Sequence, residues 1–289
     1  MCYTEKRGRI LASSRGACKG KGMDTKMKFD MHCHTKEGSL DGKVPVEEFI
    51  QTLIDRGFGG MLISDHNSYN GYRAWKKTVS EKRFKDFVVL KGIEYDTIDA
   101  GHILIIMPEG VKLKILELRG LPVNFLIDIV HRHGGILGPA HPCGEKYLSI
   151  TNTRKHRNQL AVMDRFDFLE GYNACESSES NARAQKIAAE HDLPAFGGSD
   201  AHKLDCIGLG YTEFNENISC ESDLIRVLGN KGAECCTCGG EYYTGTTKER
   251  IGKANNILVQ SFWFYNYFCS LLRHHKRIIE LKKLYIRIK

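Results

Sequence analysis

The sequence lacks an apolar segment long enough to cross a membrane. Its most apolar run, residues 257–272, contains Gln260, Ser261 and Asn266 and is shorter than the ~20 predominantly apolar residues of a transmembrane helix. We interpret this run as a terminal helix packed on the domain, with an interfacial amphipathic helix as the alternative. The basic N-terminus also shows no apolar run of the signal-peptide type. These absences predict a cytoplasmic protein without stable membrane insertion.

A regular cysteine framework is missing too. The eleven cysteines are an odd number without regular spacing, which argues for reduced thiols and a cytoplasmic location. Cys235, Cys236 and Cys238 form a local cluster. A zinc site there would need another pair of ligands, and none follows at a suitable spacing. We therefore interpret these three residues as buried or incidental thiols.

Two common catalytic motifs are absent. The chain has no G-x-x-x-x-G-K-[ST] loop and no G-x-S-x-G elbow, which argues against P-loop nucleotide hydrolysis and against a serine hydrolase of the α/β-hydrolase type. It also shows no sequence repeat at a fixed period. The chemistry must therefore be sought in other residue types.

Positive charge is concentrated at the two ends of the chain. The net charge is +7 over 289 residues; residues 1–26 carry +5 and residues 273–289 carry +6, which leaves −4 for the residues between them. We predict a disordered basic extension (1–26), one domain (27–240) and a helical, basic C-terminal extension (241–289). The alternative is that the basic ends contact nucleic acid or an anionic membrane surface.

Short apolar runs alternate with amphipathic stretches along the central part of the chain. The predicted strands are 28–33, 60–64, 87–93, 102–107, 135–140, 166–170 and 195–198, and the predicted helices are 46–56, 122–133, 180–191 and 222–229. A repeated strand–helix alternation is typical of an α/β fold with a parallel sheet or barrel.

Metal-ligand residue types recur at the ends of these strands. They are His32 and His34, Asp65 and His66, Glu94, His102, His141, and Asp200 and His202. Alternate residues on a strand face the same side, so His32 and His34 should point together. The carboxyl ends of barrel strands meet at one face, where such residues can converge. Imidazole with carboxylate suits zinc, iron or manganese, and the set is too large for one tetrahedral ion.

Each of these motifs is weak by itself. A His-x-His pair is common on surfaces, and an isolated Ala-His-Pro can be no more than a strand end followed by a turn. Chance is a poor explanation when several successive strand ends all carry ligand types. We therefore predict a site for two or three divalent ions.

Together these residues resemble the polymerase and histidinol phosphatase (PHP) family from about Lys28 to about Cys238. Four motifs occur in order: His32-Cys33-His34, Ser64-Asp65-His66-Asn67, Ala140-His141-Pro142 and Gly198-Ser199-Asp200-Ala201-His202. The stretch Gly92-Ile93-Glu94 also matches. The resemblance implies a distorted seven-stranded (β/α) barrel of the TIM type, a trinuclear metal site and hydrolysis of phosphoesters.

The resemblance also implies how the ligands divide among the ions. One ion would be held by His32, His34, Glu94 and Asp200, a second by Glu94, His141 and His102, and a third by His66, His202 and an acidic residue after the first motif. Family members often have a carboxylate or a histidine about five residues past the second histidine, where this chain has Ser39. We choose Asp41 over Glu37 because Asp41 precedes a glycine. Asp65 is expected to orient a ligand rather than to bind metal.

The expected mechanism uses the ions to lower the pKa of bound water, so that hydroxide is available near neutral pH. Asp200 or His202 would assist proton transfer to the leaving group. The expected substrate is a small phosphorylated molecule (a nucleotide, sugar or amino-alcohol phosphate) or an oligonucleotide, and no obligate protein partner is implied.

Two other readings stay open. An amidohydrolase-like enzyme also uses His-x-His on a barrel, but it commonly bridges its metals with a carboxylated lysine; here Glu94 takes the bridging place and Lys91 precedes it. A non-catalytic domain that binds nucleic acid is the other. Loops 68–86 and 143–160 carry basic and aromatic residues that could meet an anionic ligand or form solvated helix faces.

Overall fold

A computed structural model describes residues 27–78, 83–144, 148–153, 155–156, 161–229 and 235–245. The predictions for residues 1–26 and 257–272, and most of the predicted C-terminal extension, lie outside the described residues. So do Lys146, Tyr147, Arg154 and Arg157 of the second predicted loop. The domain boundaries at 26/27 and 240/241 therefore stay predictions.

Strands and helices alternate along the described residues, which confirms the α/β class. The strands are β1 (Lys28–Cys33), β2 (Gly60–Ile63), β3 (Val88–Asp96), β4 (His102–Ile106), β5 (Ile136–Pro139), β6 (Leu169–Asn173), β7 (Ala195–Gly198), β8 (Gly210–Phe214) and β9 (Cys236–Gly240). The helices are α1 (Val46–Asp55), α2 (Asn70–Thr78), α3 (Val123–Arg132), α4 (Ser178–Glu190) and α5 (Glu221–Gly229). None of the described helices has the length and apolar character needed to span a bilayer.

The strands form a curled, half-barrel sheet of seven strands and a second sheet of two. The order in the larger sheet is β5-β4-β3-β2-β1-β8-β9, and β6 pairs with β7. The closed seven-stranded barrel of the prediction is therefore present only as this half-barrel. A parallel sheet was also expected, but only β1–β2, β2–β3 and β6–β7 pair in parallel.

The short connection between β3 and β4 explains the first antiparallel pair. Residues 97–101 are too few for the crossover that two parallel neighbours need, so the chain turns back as a hairpin. In the resulting register Asp96 lies opposite His102. The start of β4 therefore reaches the same edge of the sheet as the end of β3, and this brings His102 beside Glu94.

The two-stranded sheet lies against the end of β1. The Asp200 N–H donates to the His32 carbonyl oxygen at 2.9 Å, and the His34 N–H donates to the Ala201 carbonyl oxygen at 3.3 Å. Cys33 and Ala201 form a parallel bridge. The residues that follow β7 are thus fixed beside the histidines that end β1.

The core extends over both faces of β4. Ile103 and Ile105 belong to a cluster that includes the buried face of α3, whereas Leu104 and Ile106 belong to a second cluster with Phe168 and Phe196. Successive residues of a strand face opposite sides, so β4 is buried on both faces. Each fully buried aliphatic or aromatic side chain of this kind contributes about 1.5–3 kcal/mol. The site described below therefore rests on a densely packed sheet.

Helix α1 shows why the local sequence folds as it does. It begins after Pro45, carries Glu47 and Glu48 in its first turn, and buries Phe49, Ile50 and Leu53 on one face. Acidic residues at a helix N-terminus interact favourably with the helix dipole. Through this face the helix shares a buried cluster with Cys33 of β1 and with residues of β2.

Candidate metal centre

The histidines at the strand ends form one continuous group. Their ring centroids lie 4.1–6.0 Å from those of neighbouring rings in the group. The members are His32, His34, His66, His102, His141 and His202. The structure therefore brings together all six histidines that the sequence singled out as ligands, from five different strand ends.

Unusual backbone conformations place several of these side chains. His141 after β5 has φ +29° and Asp200 after β7 has φ +51°, and Asn67, next to His66, has φ +48°. Positive φ is uncommon for residues other than glycine and is kept only where the surrounding structure enforces it. Three of the four such residues in the described chain lie in or beside the cluster.

The first group of ligand atoms comes from β1, β3 and the residue after β7. The Nε2 atoms of His32 and His34 lie 3.0 Å apart. Glu94 Oε2 lies 3.4 and 3.3 Å from them, and Asp200 Oδ1 lies 3.6 and 3.2 Å from them. Four ligands about 2.1 Å from a tetrahedral ion are about 3.4 Å from each other. These separations therefore fit a divalent metal ion.

Glu94 offers its two oxygens to different histidines. Its Oε1 lies 2.9 Å from His102 Nδ1 and 3.1 Å from His141 Nε2. Its Oε2 faces His32 and His34, is buried, and has no aligned hydrogen-bond partner. A buried carboxylate oxygen without a partner costs free energy, and a bound cation would remove that cost. The two oxygens of Glu94 thus face two different sets of histidine nitrogens.

His66 lies between two groups rather than in one. Its Nδ1 is 3.1 Å from Glu94 Oε2, and its Nε2 is 3.6 Å from Asp41 Oδ2. Ligand atoms lie within 4.8 Å of one another in three overlapping sets among the described residues: His32, His34 and Asp200; His66, Glu94 and His102; and His34, His66 and His202. The prediction assigned His66 to the third ion alone, so the second ion has an additional candidate.

Asp41 is the acid that the structure places beside the third group. Its Oδ2 lies 3.2 Å from His202 Nε2. The other candidate, Glu37, accepts a hydrogen bond from the Val46 N–H at the start of α1 instead. Asp41 is 56% exposed, so this side of the cluster opens to solvent.

Asp65 makes hydrogen bonds to the loop after β1. Its carboxylate accepts from the Thr35 N–H at 2.7 Å, from the Ser39 hydroxyl at 3.1 Å and from the Gly71 N–H at 3.2 Å. Ser39 Oγ also lies 3.1 Å from His34 Nδ1. Burial raises the pKa of Asp65 to about 6, against these hydrogen bonds, which lower it. Asp65 thus contacts a ligand's partner rather than the ligand nitrogens.

The cluster carries more negative than positive charge when the histidines are neutral. Burial alone would lower the pKa of His66, but Glu94, Asp96 and Asp41 raise it to about 10. Burial likewise opposes ionisation of Glu94, yet His102, His66 and His32 hold its pKa well below the ordinary value. An anionic pocket of this kind attracts protons, and it would attract divalent cations for the same reason.

Two carboxylates of the site were missed by the sequence reasoning. Glu170 Oε1 lies 2.9 Å from His32 Nδ1, and its Oε2 accepts from the His141 N–H at 2.6 Å. Asp96 lies beside His102 and His66. Glu170 closes a predicted strand and Asp96 follows Glu94 by two, so both positions carried the signal that was used for the other ligands.

Other predicted candidates are engaged elsewhere. In loop 68–86, residues 70–78 form α2, in which Trp75 is buried and Arg73 pairs with Glu117; Tyr69, just before the helix, is also buried. Tyr69 and Trp75 are thus core residues rather than ligand contacts. The Sγ atoms of Cys235 and Cys236 lie 3.9 Å apart, and no cysteine belongs to the ligand sets found among the described residues.

Comparisons with known proteins place this arrangement in context. Residues 30–174 match the family model described as PHP domain, and residues 178–231 match the model described as PHP-associated. No match was found among curated proteins.

Several solved structures share the fold. A two-domain protein from Bacteroides vulgatus, containing a predicted PHP-like metal-dependent phosphoesterase, is 15% identical with a TM-score of 0.56 (75% of this chain, 65% of that one). A candidate metal-dependent phosphoesterase from Bifidobacterium adolescentis is 18% identical with a TM-score of 0.53 (71% and 96%). The lesion-specific endonuclease PfuEndoQ from Pyrococcus furiosus is 16% identical with a TM-score of 0.54 (72% and 57%).

Proposed function

Because this chain belongs to the PHP domain family, we propose that it hydrolyses phosphoester bonds with the help of two or three divalent metal ions. The observation that carries the proposal is the position of Glu94. Each of its oxygens faces a different group of histidine nitrogens at 2.9–3.4 Å. Such an arrangement suits neighbouring ions that share a carboxylate, as in two-metal hydrolases of phosphoesters.

The ligand assignment follows the family resemblance, and the distances add His66 as a candidate for the second ion. His32, His34, Glu94 and Asp200 would hold one ion, Glu94, His102 and His141 a second, and Asp41, His66 and His202 a third. When bound, zinc, manganese or iron would act as a Lewis acid on the phosphoryl oxygens and lower the pKa of water. The role of the protein is then to position these ligands.

The protein's contribution is to fix ligand orientation. Glu170 accepts from His32 Nδ1, so the Nε2 lone pair of His32 is directed to the ligand group. In the same way, His202 Nδ1 donates to the Asp200 carbonyl oxygen at 2.9 Å and leaves Nε2 towards Asp41. Ligand histidines are commonly oriented by such second hydrogen bonds. His202 is 19% exposed and Asp200 is 3% exposed. Because Nδ1 donates to a carbonyl and Nε2 would be a ligand, His202 could donate a proton to a leaving group only while the third ion is absent.

Lys91 bears on the amidohydrolase-like alternative. Its Nζ donates to the carbonyl oxygens of Val111 at 2.8 Å and Pro108 at 3.3 Å. A lysine whose Nζ donates to backbone carbonyls is not available as a carboxylated bridge, and Glu94 would take the bridging position instead. The geometry therefore favours hydrolysis of phosphoesters over hydrolysis of C–N bonds.

A substrate panel tests the proposal. The purified chain would be stripped with a chelator, reloaded separately with Mn²⁺, Zn²⁺ or Fe²⁺, and assayed on an aryl phosphate, a nucleoside phosphate, a short oligonucleotide and an amide. We expect phosphoester hydrolysis that depends on added metal. The Glu94→Gln variant should lose more than the 10–100-fold typical of residues behind the ligands, whereas Glu190→Gln on the exposed face of α4 should match the wild type.

The results distinguish the proposed function from its two alternatives. Amide hydrolysis without phosphoester hydrolysis would favour the amidohydrolase-like alternative. Salt-sensitive oligonucleotide binding with no hydrolysis would favour the non-catalytic domain. Metal-independent phosphoester hydrolysis would contradict the role proposed for the cluster.

A further inference from the structure

Asp96 ends β3 beside the ligand groups. It follows Glu94 by two residues, so both side chains lie on the same face of the strand. In the antiparallel register with β4, Asp96 is opposite His102. The backbone therefore directs a second carboxylate towards the same histidines as Glu94.

The contacts of Asp96 Oδ1 resemble those of a metal ligand more than those of a hydrogen-bond acceptor. It lies 3.2 Å from His102 Nε2 and 3.5 Å from His66 Nδ1. Asp96 Oδ1, Glu94 Oε2 and His66 Nδ1 are all buried without an aligned hydrogen-bond partner. Atoms that approach one another without hydrogen-bond alignment, at about the 3.4 Å expected between ligands of one ion, converge on a common centre.

The rest of the residue is held in place by the protein. Asp96 Oδ2 pairs with Arg119 Nη2 at 3.2 Å, and the Asp96 N–H donates to Asn67 Oδ1 at 3.0 Å. Arg119 therefore engages one oxygen and leaves Oδ1 directed at the histidines. A ligand that is fixed before the ion arrives loses little entropy on binding.

We propose that Asp96 is a further ligand of a divalent cation, which it binds together with His66, Glu94 and His102. The proposal rests on the metal dependence proposed above and adds a second carboxylate to the set of His66, Glu94 and His102. His102 would join this set through Nε2, because its Nδ1 is hydrogen-bonded to Glu94 Oε1. Carboxylate oxygens favour Mn²⁺ over softer ions, whereas imidazole suits zinc well. Asp96 therefore increases the affinity of this position for Mn²⁺ relative to Zn²⁺.

Two lesser roles for Asp96 need to be separated from this one. It could serve only as an acceptor that orients His102, or it could act only through its charge. The pair Asp96→Asn and Asp99→Asn separates them, since each removes one carboxylate charge from the β3–β4 hairpin, Asp96 at the end of β3 and Asp99 in the turn. Asp99 pairs with Lys155 and accepts from the Val123 N–H, and an asparagine can still accept there.

The experiment titrates chelator-treated protein with Mn²⁺ and with Zn²⁺ by calorimetry and counts bound ions by mass spectrometry. We expect Asp96→Asn to weaken one Mn²⁺ site by about tenfold or more, with a smaller loss for Zn²⁺, and Asp99→Asn to behave as the wild type. If circular dichroism shows that Asp96→Asn is unfolded, Asp96→Ser takes its place.

The outcomes that overturn the inference differ from those that overturn the proposed function. Wild-type metal affinity in Asp96→Asn would show that Asp96 only orients His102. An equal loss of metal affinity in Asp96→Asn and Asp99→Asn would show that Asp96 acts only through its charge. Either result leaves the metal-dependent function intact. A wild-type chain that binds neither ion would overturn the proposed function and this inference together.

Discussion

At the scale of single residues, the arrangement around His32 decides how the first ligand group is built. Glu170 accepts from His32 Nδ1, from the His141 N–H and from Asn173 Nδ2. All three partners are donors, and a carboxylate has the lone pairs to accept from all of them. Its position 138 residues from His32 shows that this orientation depends on the folded sheet.

Replacing Glu170 should therefore weaken metal binding without removing a ligand. In Glu170→Gln the amide NH₂ must face at least one donor, so His32 or His141 loses its orientation. We expect the affinity for Mn²⁺ or Zn²⁺ to fall about 10–100-fold, as measured by calorimetric titration. Glu179→Gln on the exposed start of α4 is the matched control. An unchanged affinity in Glu170→Gln would contradict the orienting role.

Variants of the two acids after β1 should affect different properties: one variant should weaken metal binding and the other should lower stability. Asp41→Ala should weaken metal binding and phosphoester hydrolysis with little effect on unfolding, because Asp41 is exposed and faces His202. Glu37→Ala should do the reverse, since Glu37 accepts from the Val46 N–H of α1; loss of such a cap costs about 1 kcal/mol. Urea unfolding and a metal titration measure both effects. A larger binding loss in Glu37→Ala would reassign the acid.

The sequence alone predicts some of the candidate ligand residues and misses others. His32, His34, Glu94, His141 and Asp200 were found because each stands at a strand end in a motif. Glu170 and Asp96 had the same placement but no matching motif, and only the fold shows which way they point. The sharing of His66 between Glu94 and Asp41 depends on side-chain geometry that spacing does not encode.

At the scale of elements, β7 must approach β1 closely to bring Asp200 to His32. At Gly198 a Cβ atom would lie 2.4 Å from the His32 nitrogen and 2.5 Å from its Cβ. Only glycine allows this separation without a shift of the backbone. The close approach of β7 to β1 thus depends on the lack of a side chain at Gly198.

Gly198→Ala tests this close approach. The added methyl should push β7 from β1, destabilise the fold by about 1–3 kcal/mol and reduce metal affinity by moving Asp200. Gly229→Ala at the end of α5 meets nothing within 4 Å and should be neutral or stabilising by up to about 1 kcal/mol. Chemical unfolding and metal titration of both variants provide the comparison. A Gly198→Ala protein with wild-type stability would show that β1 and β7 are not so constrained.

The elements that were predicted and those that were missed differ in pattern. β1 and β7 were predicted with their observed bounds because their apolar runs are short and end at ligand motifs. β9 (CTCGG) and β8 (GYTEF) contain glycines and polar residues that hide the alternation. The sequence predicted a loop where α2 lies, because Gly71 and the cationic residues obscure the helical pattern around the buried Trp75. The antiparallel pair β3–β4 follows from the short connection at residues 97–101. The antiparallel pairs β4–β5, β1–β8 and β8–β9 have no such signal in the sequence.

At the scale of the whole molecule, the metal cluster joins strands that are distant in sequence. Ligands from β1, β3, β4 and the segments after β2, β5 and β7 would be tied to shared ions. Ions that bind the folded chain and not the unfolded chain stabilise the fold by about 2.7 kcal/mol at a free concentration of 100 Kd. Bound metal should therefore stabilise the half-barrel by linking strands that are distant in sequence.

Removal of metal should lower the melting temperature. For a domain of this size 1 kcal/mol corresponds to about 2–4 °C, so chelation should lower Tm by about 5–10 °C relative to protein with saturating Mn²⁺. Calorimetric melting curves with chelator and with Mn²⁺ measure the shift. The Glu94→Gln variant should show a smaller shift than the wild type. An identical Tm under both conditions would contradict a structural role for the ions.

Anomalous X-ray diffraction from crystals grown with Mn²⁺ tests the sharing of ions at one site most directly. The account predicts at least two anomalous peaks about 3.5–4 Å apart, one among His32, His34 and Asp200 and the next on the other oxygen of Glu94. Peaks that are absent from this cluster, or a single ion that does not contact Glu94, would contradict it.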